Sequence, residues 1–425
     1  MTGLPTIVDG RLKNRRLLDE GRLARALEAL DGDGEETRLV GGAVRDLALG
    51  QPPGDFDLAT TARPEIVMRR ARAAGFGVAP TGLKHGTVTL IVDGLPIEAT
   101  TLREDIETDG RHAKVRFGRD FAQDARRRDF TINALSLSRD GAIHDYAGGL
   151  DDLAARRVRF IGDARTRIRE DFLRILRFFR FSAVYGEGPL DAEGLRAAIQ
   201  ERDGLQRLSR ERVRAELMKL LKAPRAGDVV AQCCEAGLLG LLIAGAPDPR
   251  RLKRLIAVEA ARAAPPDALL RLAALGLTIA EDAERLRDRL RLSNAEYERL
   301  AGAAGALESL HGRGAPPSLG ELRALLFERK RTAARDGLTL AHVDSGAAPD
   351  DPAFASAFRF VSDTPEPSLP FTGADIVKRG VAQGQGVGAT LKSLQALWIR
   401  AGFPREPEQL ARLLDQALAR LRGKN

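Results

Sequence analysis

The stretch Arg38-Leu39-Val40-Gly41-Gly42-Ala43-Val44-Arg45-Asp46, with Gly54-Asp55-Phe56-Asp57-Leu58 close behind it, narrows what this chain can fold into more than any other segment. Residues 37–40 read as a short buried strand and residues 43–49 as one or two helical turns stopped by Gly50. The glycine pair between them leaves backbone N–H groups pointing outward at a helix start, which suits a phosphate, and Arg45 in the first turn adds positive charge. Pro52-Pro53-Gly54 breaks the chain again, and Asp55-Phe56-Asp57-Leu58 reads as the start of a second strand. Side chains alternate along a strand, so Asp55 and Asp57 share one face while Phe56 and Leu58 point to the core. Two carboxylates beside a phosphate-binding turn make a site for Mg2+ ions bridging a nucleotide's phosphates. Asp31-Gly32-Asp33 repeats the Asp-x-Asp pattern, but Glu36 stands where an EF-hand needs glycine, so it reads as a solvated loop.

Residues 19–30 read as an amphipathic helix with Leu23, Ala26, Leu27 and Leu30 on one face. Residues 64–75 read as a helix opened by Pro64 and closed by Gly75. Residues 86–92 alternate as a strand, Asp93-Gly94 is a hairpin turn, and residues 95–101 return as the partner, with Ile97 and Ala99 on one face and Glu98 and Thr100 on the other. Laid beside the Asp55 strand, this pair brings Glu98 to the aspartates as a third carboxylate; the alternative is an ordinary exposed strand residue. Residues 103–120 are polar and charged and read as a mobile loop. Arg126-Arg127-Arg128-Asp129 then precedes an apolar run, Asp140-Gly141 is a second hairpin signal, and the β-rich part ends near residue 150.

Beyond residue 151 the chain reads as helices, among them 209–221, 224–242, 321–335 and 391–402. The informative one runs from Glu170 to Phe181. Read as a single helix, each step of three moves about 60° round the axis, so Asp171, Arg174 and Arg177 form one polar stripe with Arg180 at its edge. The rest of that helix is apolar enough to be buried, which turns the stripe toward a cleft. Gly384-Gln385-Gly386-Val387-Gly388 has no strand before it and reads as a turn capping a helix. The five histidines lack the spacing of a metal hydrolase site.

A length of 425 residues implies two to four domains. The net charge of +8, carried mostly by arginine, suits an acidic polymer partner. The only cysteines, the adjacent Cys233-Cys234, imply a reducing compartment and no disulfide framework. The N-terminus has no apolar run fit for a signal peptide, and no stretch approaches the roughly 20 apolar residues of a membrane span. The expectation is a soluble cytoplasmic protein with no membrane partner.

Six motifs then fall in a known order. They are Gly41-Gly42-Ala43-Val44-Arg45-Asp46, Asp55-Phe56-Asp57, Glu98 to Arg103, Thr108 to Ala113, Arg127-Arg128-Asp129 with Asn133-Ala134, and Glu170-Asp171-x-x-Arg174-x-x-Arg177. Over residues 37–182 the chain resembles the class II tRNA nucleotidyltransferases, the CCA-adding enzymes, and their relatives the bacterial poly(A) polymerases. The resemblance implies an α+β protein: a nucleotidyltransferase (polymerase β-like) mixed-sheet head at 1–150, a helical neck at 151–225, a body at 226–310 and a tRNA-binding tail at 311–425. It implies that Asp55 and Asp57 bind Mg2+, that Glu98 completes the catalytic carboxylates, and that Gly42 and Arg45 hold a triphosphate. Arg128 and Asp129 match ribose contacts. Asp171, Arg174, Arg177 and Arg180 match residues that read the base or phosphates. The implied substrates are CTP, ATP and the 3′ end of tRNA.

Other readings are a poly(A) polymerase, a partial enzyme adding only CC or only A, a catalytically dead RNA-binding protein, and a small-molecule nucleotidyltransferase. Ala134-Leu135-Ser136-Leu137 after the Arg-Arg-Asp motif disfavours the first, and Asp109-Gly110-Arg111 disfavours a CC-only enzyme, whose relatives shorten that loop. Intact Asp55, Asp57 and Glu98 oppose the third, and the Arg-rich helical arm has no use in the fourth.

Overall fold

The computed structural model describes residues 7–8, 10–83, 86–108 and 113–422. The chain divides into two compact units, Met1–Leu242 and Ile243–Asn425.

In the first unit the strands are β1 (Ile7–Val8), β2 (Arg11–Leu12), β3 (Thr37–Val40), β4 (Asp57–Thr60), β5 (Gly77–Gly82), β6 (Thr87–Val92), β7 (Leu95–Thr101), β8 (Arg103–Thr108), β9 (Ala113–Phe117), β10 (Ser136–Leu137) and β11 (Ile143–His144). Seven of them form one mixed sheet in the order β11-β10-β3-β4-β7-β6-β5. Only the β4–β7 pair is parallel among its pairings, and its register sets Asp57 beside Glu98. The β6–β7 turn at Asp93-Gly94 takes positive φ at both residues, 53° and 76°, as a tight two-residue hairpin requires. Helices Gly21–Leu30 and Pro64–Ala73 pack on the sheet and bury Leu23, Leu27, Val67 and Ala71, the apolar stripes their sequences carry.

Three expectations need correction. The strand carrying the aspartates starts at Asp57, with Asp55 in the bend before it, although the ladder reaches Phe56, whose carbonyl accepts from the Glu98 amide at 3.3 Å. Within residues 103–120, residues 103–108 and 113–117 are strands rather than loop: β8 and β9 pair antiparallel with a bulge between Asp105 and Glu107. The density of charge in residues 103–108 leaves no apolar alternation to mark a strand, which is why the sequence read as a loop. Asp109 and Arg111 lie outside the described residues. The segment from Glu170 to Phe181 is broken at Asp171, which is extended (φ −154°, ψ 107°) between helices Ala164–Glu170 and Leu173–Tyr185.

The second unit is helical. Residues 321–335 belong to a longer helix, Leu319–Asp344, kinked at Lys330 (φ 66°, ψ 165°). Before the kink, Phe327 packs edge-on against Trp398 (5.5 Å) in a core with Ile376, Leu394 and Leu414; after it, Gly337 lies against Ala306 of helix Asn294–Glu308. Gly384, at φ 127°, does precede a helix, Gln385–Arg400.

The head and the first long helix share an aromatic core. Phe130 is fully buried, with Phe160 at 4.8 Å, Phe181 at 5.2 Å and Phe178 at 6.5 Å between ring centroids. Residues 129–131 also bond as a bridge to residues 159–161. Gly149 closes this region: a Cβ there would stand 2.2 Å from the Thr131 carbonyl oxygen. Gly149→Ala is expected to cost about 1–3 kcal/mol by overpacking, read as a lower chemical-denaturation midpoint, and an unchanged midpoint would contradict the tight contact.

Candidate active site

Phe56 and Leu58 are buried and Asp57 is exposed on the open face of the sheet, while Asp55, exposed in the bend before the strand, is close enough to act on the Asp57 carboxyl. Glu98 stands on that face beside Asp57 through the parallel register. Asp57 is open by surface area, yet the surrounding protein raises its carboxyl above the ordinary value; Glu98 and Asp55 raise it further, and Arg128 pulls it down. A carboxylate that its neighbours make costly to ionise is a place for a cation. Among the described residues no three acidic, His or Cys side chains are disposed to close a metal shell by themselves.

The glycine turn meets this face through Arg128. Gly41 adopts φ 70°, ψ −129°, and a Cβ on it would lie 3.0 Å from Arg128 Nη1. Arg128 donates to Asp124 Oδ2 (3.3 Å) and to the Asn133 carbonyl (3.3 Å). Gly42 starts helix Gly42–Ala48, and its position is close to Arg45. Arg45 is buried rather than presented to solvent. Its Nη1 donates to Asn133 Oδ1 (2.6 Å), its Nε to Asp46 Oδ1 (3.0 Å), and its guanidinium lies 4.0 Å from the Tyr185 ring centroid.

Asp129 is buried, and each of its carboxylate oxygens accepts from two donors. Oδ1 accepts from the Phe130 amide (2.9 Å) and Asn133 Nδ2 (3.1 Å); Oδ2 accepts from Arg177 Nε (2.7 Å) and Nη2 (2.6 Å). Burial pushes its carboxyl up, but Arg177, with Asn133 and the Phe130 amide, reverses this and holds it below the ordinary value.

On helix Leu173–Tyr185, Arg174, Arg177 and Arg180 are half-buried while Leu173, Ile175, Leu176, Phe178 and Phe179 are buried, so the expected stripe exists from Arg174 onward. Asp171 joins it from the interhelical junction, where Oδ1 accepts from the Leu173 amide (3.1 Å). Each member has a partner from another element. Arg212 Nη2 donates to Asp171 Oδ2 (2.7 Å), Arg174 Nη1 to Glu170 Oε2 (2.5 Å), and Arg180 Nε to Glu216 Oε2 (2.6 Å). Four residues that had no role assigned from the sequence thus join the site: Asn133 and Glu170, present in the motifs, and Arg212 and Glu216. Asn133 was detectable four residues after Asp129; Arg212 and Glu216 looked like any charges on a surface helix.

Residues 37–159 match the family described as poly A polymerase head domain, and residues 190–247 match the probable RNA and SrmB-binding site of polymerase A. The chain is 34% identical over 391 residues to CCA tRNA nucleotidyltransferase 1, mitochondrial, of Danio rerio, covering 90% of this chain and 88% of that protein. It belongs to the CCA-adding tRNA nucleotidyltransferase family. The CCA-adding enzyme of Leuconostoc citreum (strain KM20) is 42% identical over 219 residues, covering 51% of this chain and 53% of that one. The CCA-adding enzyme of Bacillus stearothermophilus, solved in complex with CTP, superposes with a TM-score of 0.72 at 28% identity over 95% of this chain and 98% of that chain.

In this family member the Asp129–Arg177 pair has a pH signature. A carboxyl whose folded pKa is below its unfolded value stabilises the fold fully above the unfolded value, and that contribution is lost as pH falls through the folded one. The stability difference between the parent chain and Asp129→Asn should stay level from about pH 7 to about pH 5 and narrow below about pH 4. A difference that stays constant down to about pH 3 would contradict the pair.

Proposed function

We propose that this chain adds C, C and A to the 3′ end of tRNA, drawing on CTP and ATP and releasing pyrophosphate, with no nucleic-acid template. The observation that carries this is the meeting of the Asp57–Glu98 pair with Arg128 and the Gly41-Gly42 turn in a chain of the CCA-adding family. Asp55 and Asp57 hold the divalent ions, Mg2+ in this reading, and Glu98 completes the carboxylate face. When bound, those ions neutralise the triphosphate and lower the pKa of the attacking 3′-hydroxyl. Gly42 leaves room for the triphosphate at the helix start, and Arg45 braces that turn with its charge. Arg128 and Asp129 contact the ribose, and Arg177 holds the Asp129 carboxylate ready to accept from a 2′-hydroxyl.

Asp171 and Arg174 read the base, with Arg180 bordering them. Cytosine and adenine each offer an exocyclic amine donor beside a ring-nitrogen acceptor, whereas uracil and guanine offer a carbonyl beside an N–H. A carboxylate next to a guanidinium therefore pairs with C and A and opposes U and G. Arg212 and Glu170 hold these two groups in place until a base takes up their free lone pairs and donors. Residues 151–225 serve as the neck, 226–310 as the body and 311–425 as the tRNA-binding tail. Cys233 and Cys234, in no disulfide, agree with a cytoplasmic, reducing setting, and no described helix is long and apolar enough to cross a membrane.

Purified protein given tRNA lacking its terminus and all four NTPs should add three nucleotides and stop. Long tails made from ATP alone would overturn this in favour of a poly(A) polymerase, the second reading that the family of residues 37–159 keeps in view. Asp57→Asn should abolish transfer while leaving tRNA binding intact, since it removes a charged oxygen ligand; near-normal turnover would sink the site. The β8–β9 hairpin supplies counting, because a stripe that accepts both C and A cannot tell the second position from the third. Deleting residues 107–113 should spare CC addition and impair the final A, and an equal loss of both would make the hairpin passive.

A further inference from the structure

In the second unit several arginines face carboxylates: Arg251 faces Asp344, the buried Arg271 faces Glu259, and Arg299 faces Asp336 and Asp267. Arg262 does not. It follows helix Pro249–Ala261 and donates from Nη1 to Thr339 Oγ1 (3.0 Å) and from Nη2 to His342 Nδ1 (3.1 Å). His342 is uncharged in this arrangement: Nδ1 accepts from Arg262, Nε2 donates to the Ala348 carbonyl (2.8 Å), and burial, chiefly, pushes its pKa down. Both partners of Arg262 are thus neutral. A second cation stands close by. Arg335 is exposed, and its guanidinium carbon lies 5.0 Å from the Phe358 ring centroid, where that of Arg262 lies at 4.1 Å. Burial and the neighbouring Arg335 push Arg262 down to about 10. Asp336 follows Arg335 in the chain, but its carboxylate is taken by Arg299 at 2.7 and 3.2 Å. The carboxyl end of helix Pro249–Ala261 offsets part of one charge only.

Two guanidiniums on one aromatic ring, with no carboxylate in ion-pair contact among the described residues and only the already engaged Asp336 acting on Arg335 from further off, repel each other and are stabilised by an anion. Planar, forked donors beside a ring suit a phosphate diester better than a point charge would. We infer that Arg262 and Arg335, gathered over Phe358, hold a backbone phosphate of the RNA substrate. The site lies outside residues 37–159 and 190–247, the two segments matched to known families. It rests on the tRNA reading above and adds to it the residues with which the second unit grips the RNA.

The test is binding of tRNA lacking its terminus, measured by fluorescence anisotropy over a range of salt, with CCA addition scored on the same preparations and thermal melts recorded for every variant. Arg335→Ala should raise the tRNA Kd about threefold near 0.1 M salt and flatten the slope of log Kd against log salt by about one, the signature of one lost phosphate contact. Arg335→Glu should raise Kd further, and Arg262→Lys, which keeps the charge and loses the fork, should also weaken binding. The KM for CTP should not move. Arg359→Glu, an exposed change of equal charge on the Phe358 helix, should have a smaller effect. An unchanged Kd for Arg335→Glu in a chain that still adds CCA overturns the clamp and leaves the activity reading standing. Equal damage from Arg359→Glu reduces it to diffuse charge. Calorimetric binding of inorganic phosphate, abolished by Arg335→Glu with the tRNA Kd unaffected, would make it a free-phosphate site and overturn the RNA assignment.

Discussion

The site depends on one ion pair, between the buried Asp129 and the half-buried Arg177. Asp129 is nearly sealed from water, and an isolated carboxylate there would be neutral. Arg177 keeps it charged by two short bonds, and the fully buried Phe130 next to Asp129 packs on rings of the same helix that carries Arg177. The pair therefore fixes where the β-rich segment meets the helix Leu173–Tyr185. Everything proposed to touch a nucleotide is placed relative to it: Asn133 connects Asp129 to Arg45, Arg128 adjoins Asp129 in sequence, and Arg174 lies one turn before Arg177. A buried pair is weak evidence for net stability, since desolvation opposes attraction, but breaking one partner leaves an uncompensated charge. Its value here is placement, the proposed sugar and base contacts being held on one frame.

The carboxylate face illustrates a second constraint, that of register. Asp57 and Glu98 are 41 positions apart in the chain (98 minus 57) and become neighbours because β4 and β7 run parallel. A slip of one residue would turn Glu98 into the core and Ile97 or Ala99 outward. The buried Ile97 and Ala99 forbid that slip, so apolar side chains fix the position of the acidic one.

Much of this was legible in the sequence because it is local. Turn chemistry at Gly41-Gly42 and Asp93-Gly94, alternation at Phe56 to Leu58, and the apolar faces of the flanking helices all follow from neighbours within a few residues. What resisted was decided by distant partners. Asp171 looked like the first turn of the Arg174 helix because its periodicity fits, yet the chain is extended there and Arg212, 41 positions on, takes its carboxylate. Residues 103–120 looked like a loop because they are densely charged, and pairing with a distant partner makes strands of 103–108 and 113–117. Arg45 resembled a free cation until Tyr185 and Asn133 were found around it.

If one frame holds both sugar and base, its two halves must act as a unit. The direct test is a double-mutant cycle on Asp129→Ala and Arg177→Ala, reading kcat/KM for ATP over dATP and, in parallel, for CTP over UTP. The account predicts strong non-additivity in sugar choice, with the double variant no worse than Asp129→Ala alone and a coupling of roughly 1–3 kcal/mol, as for groups in direct contact. Base choice should fall in every variant that lacks Arg177. Additive losses in sugar choice, with base choice untouched, would show that Arg177 and Asp129 work separately and would contradict the shared frame.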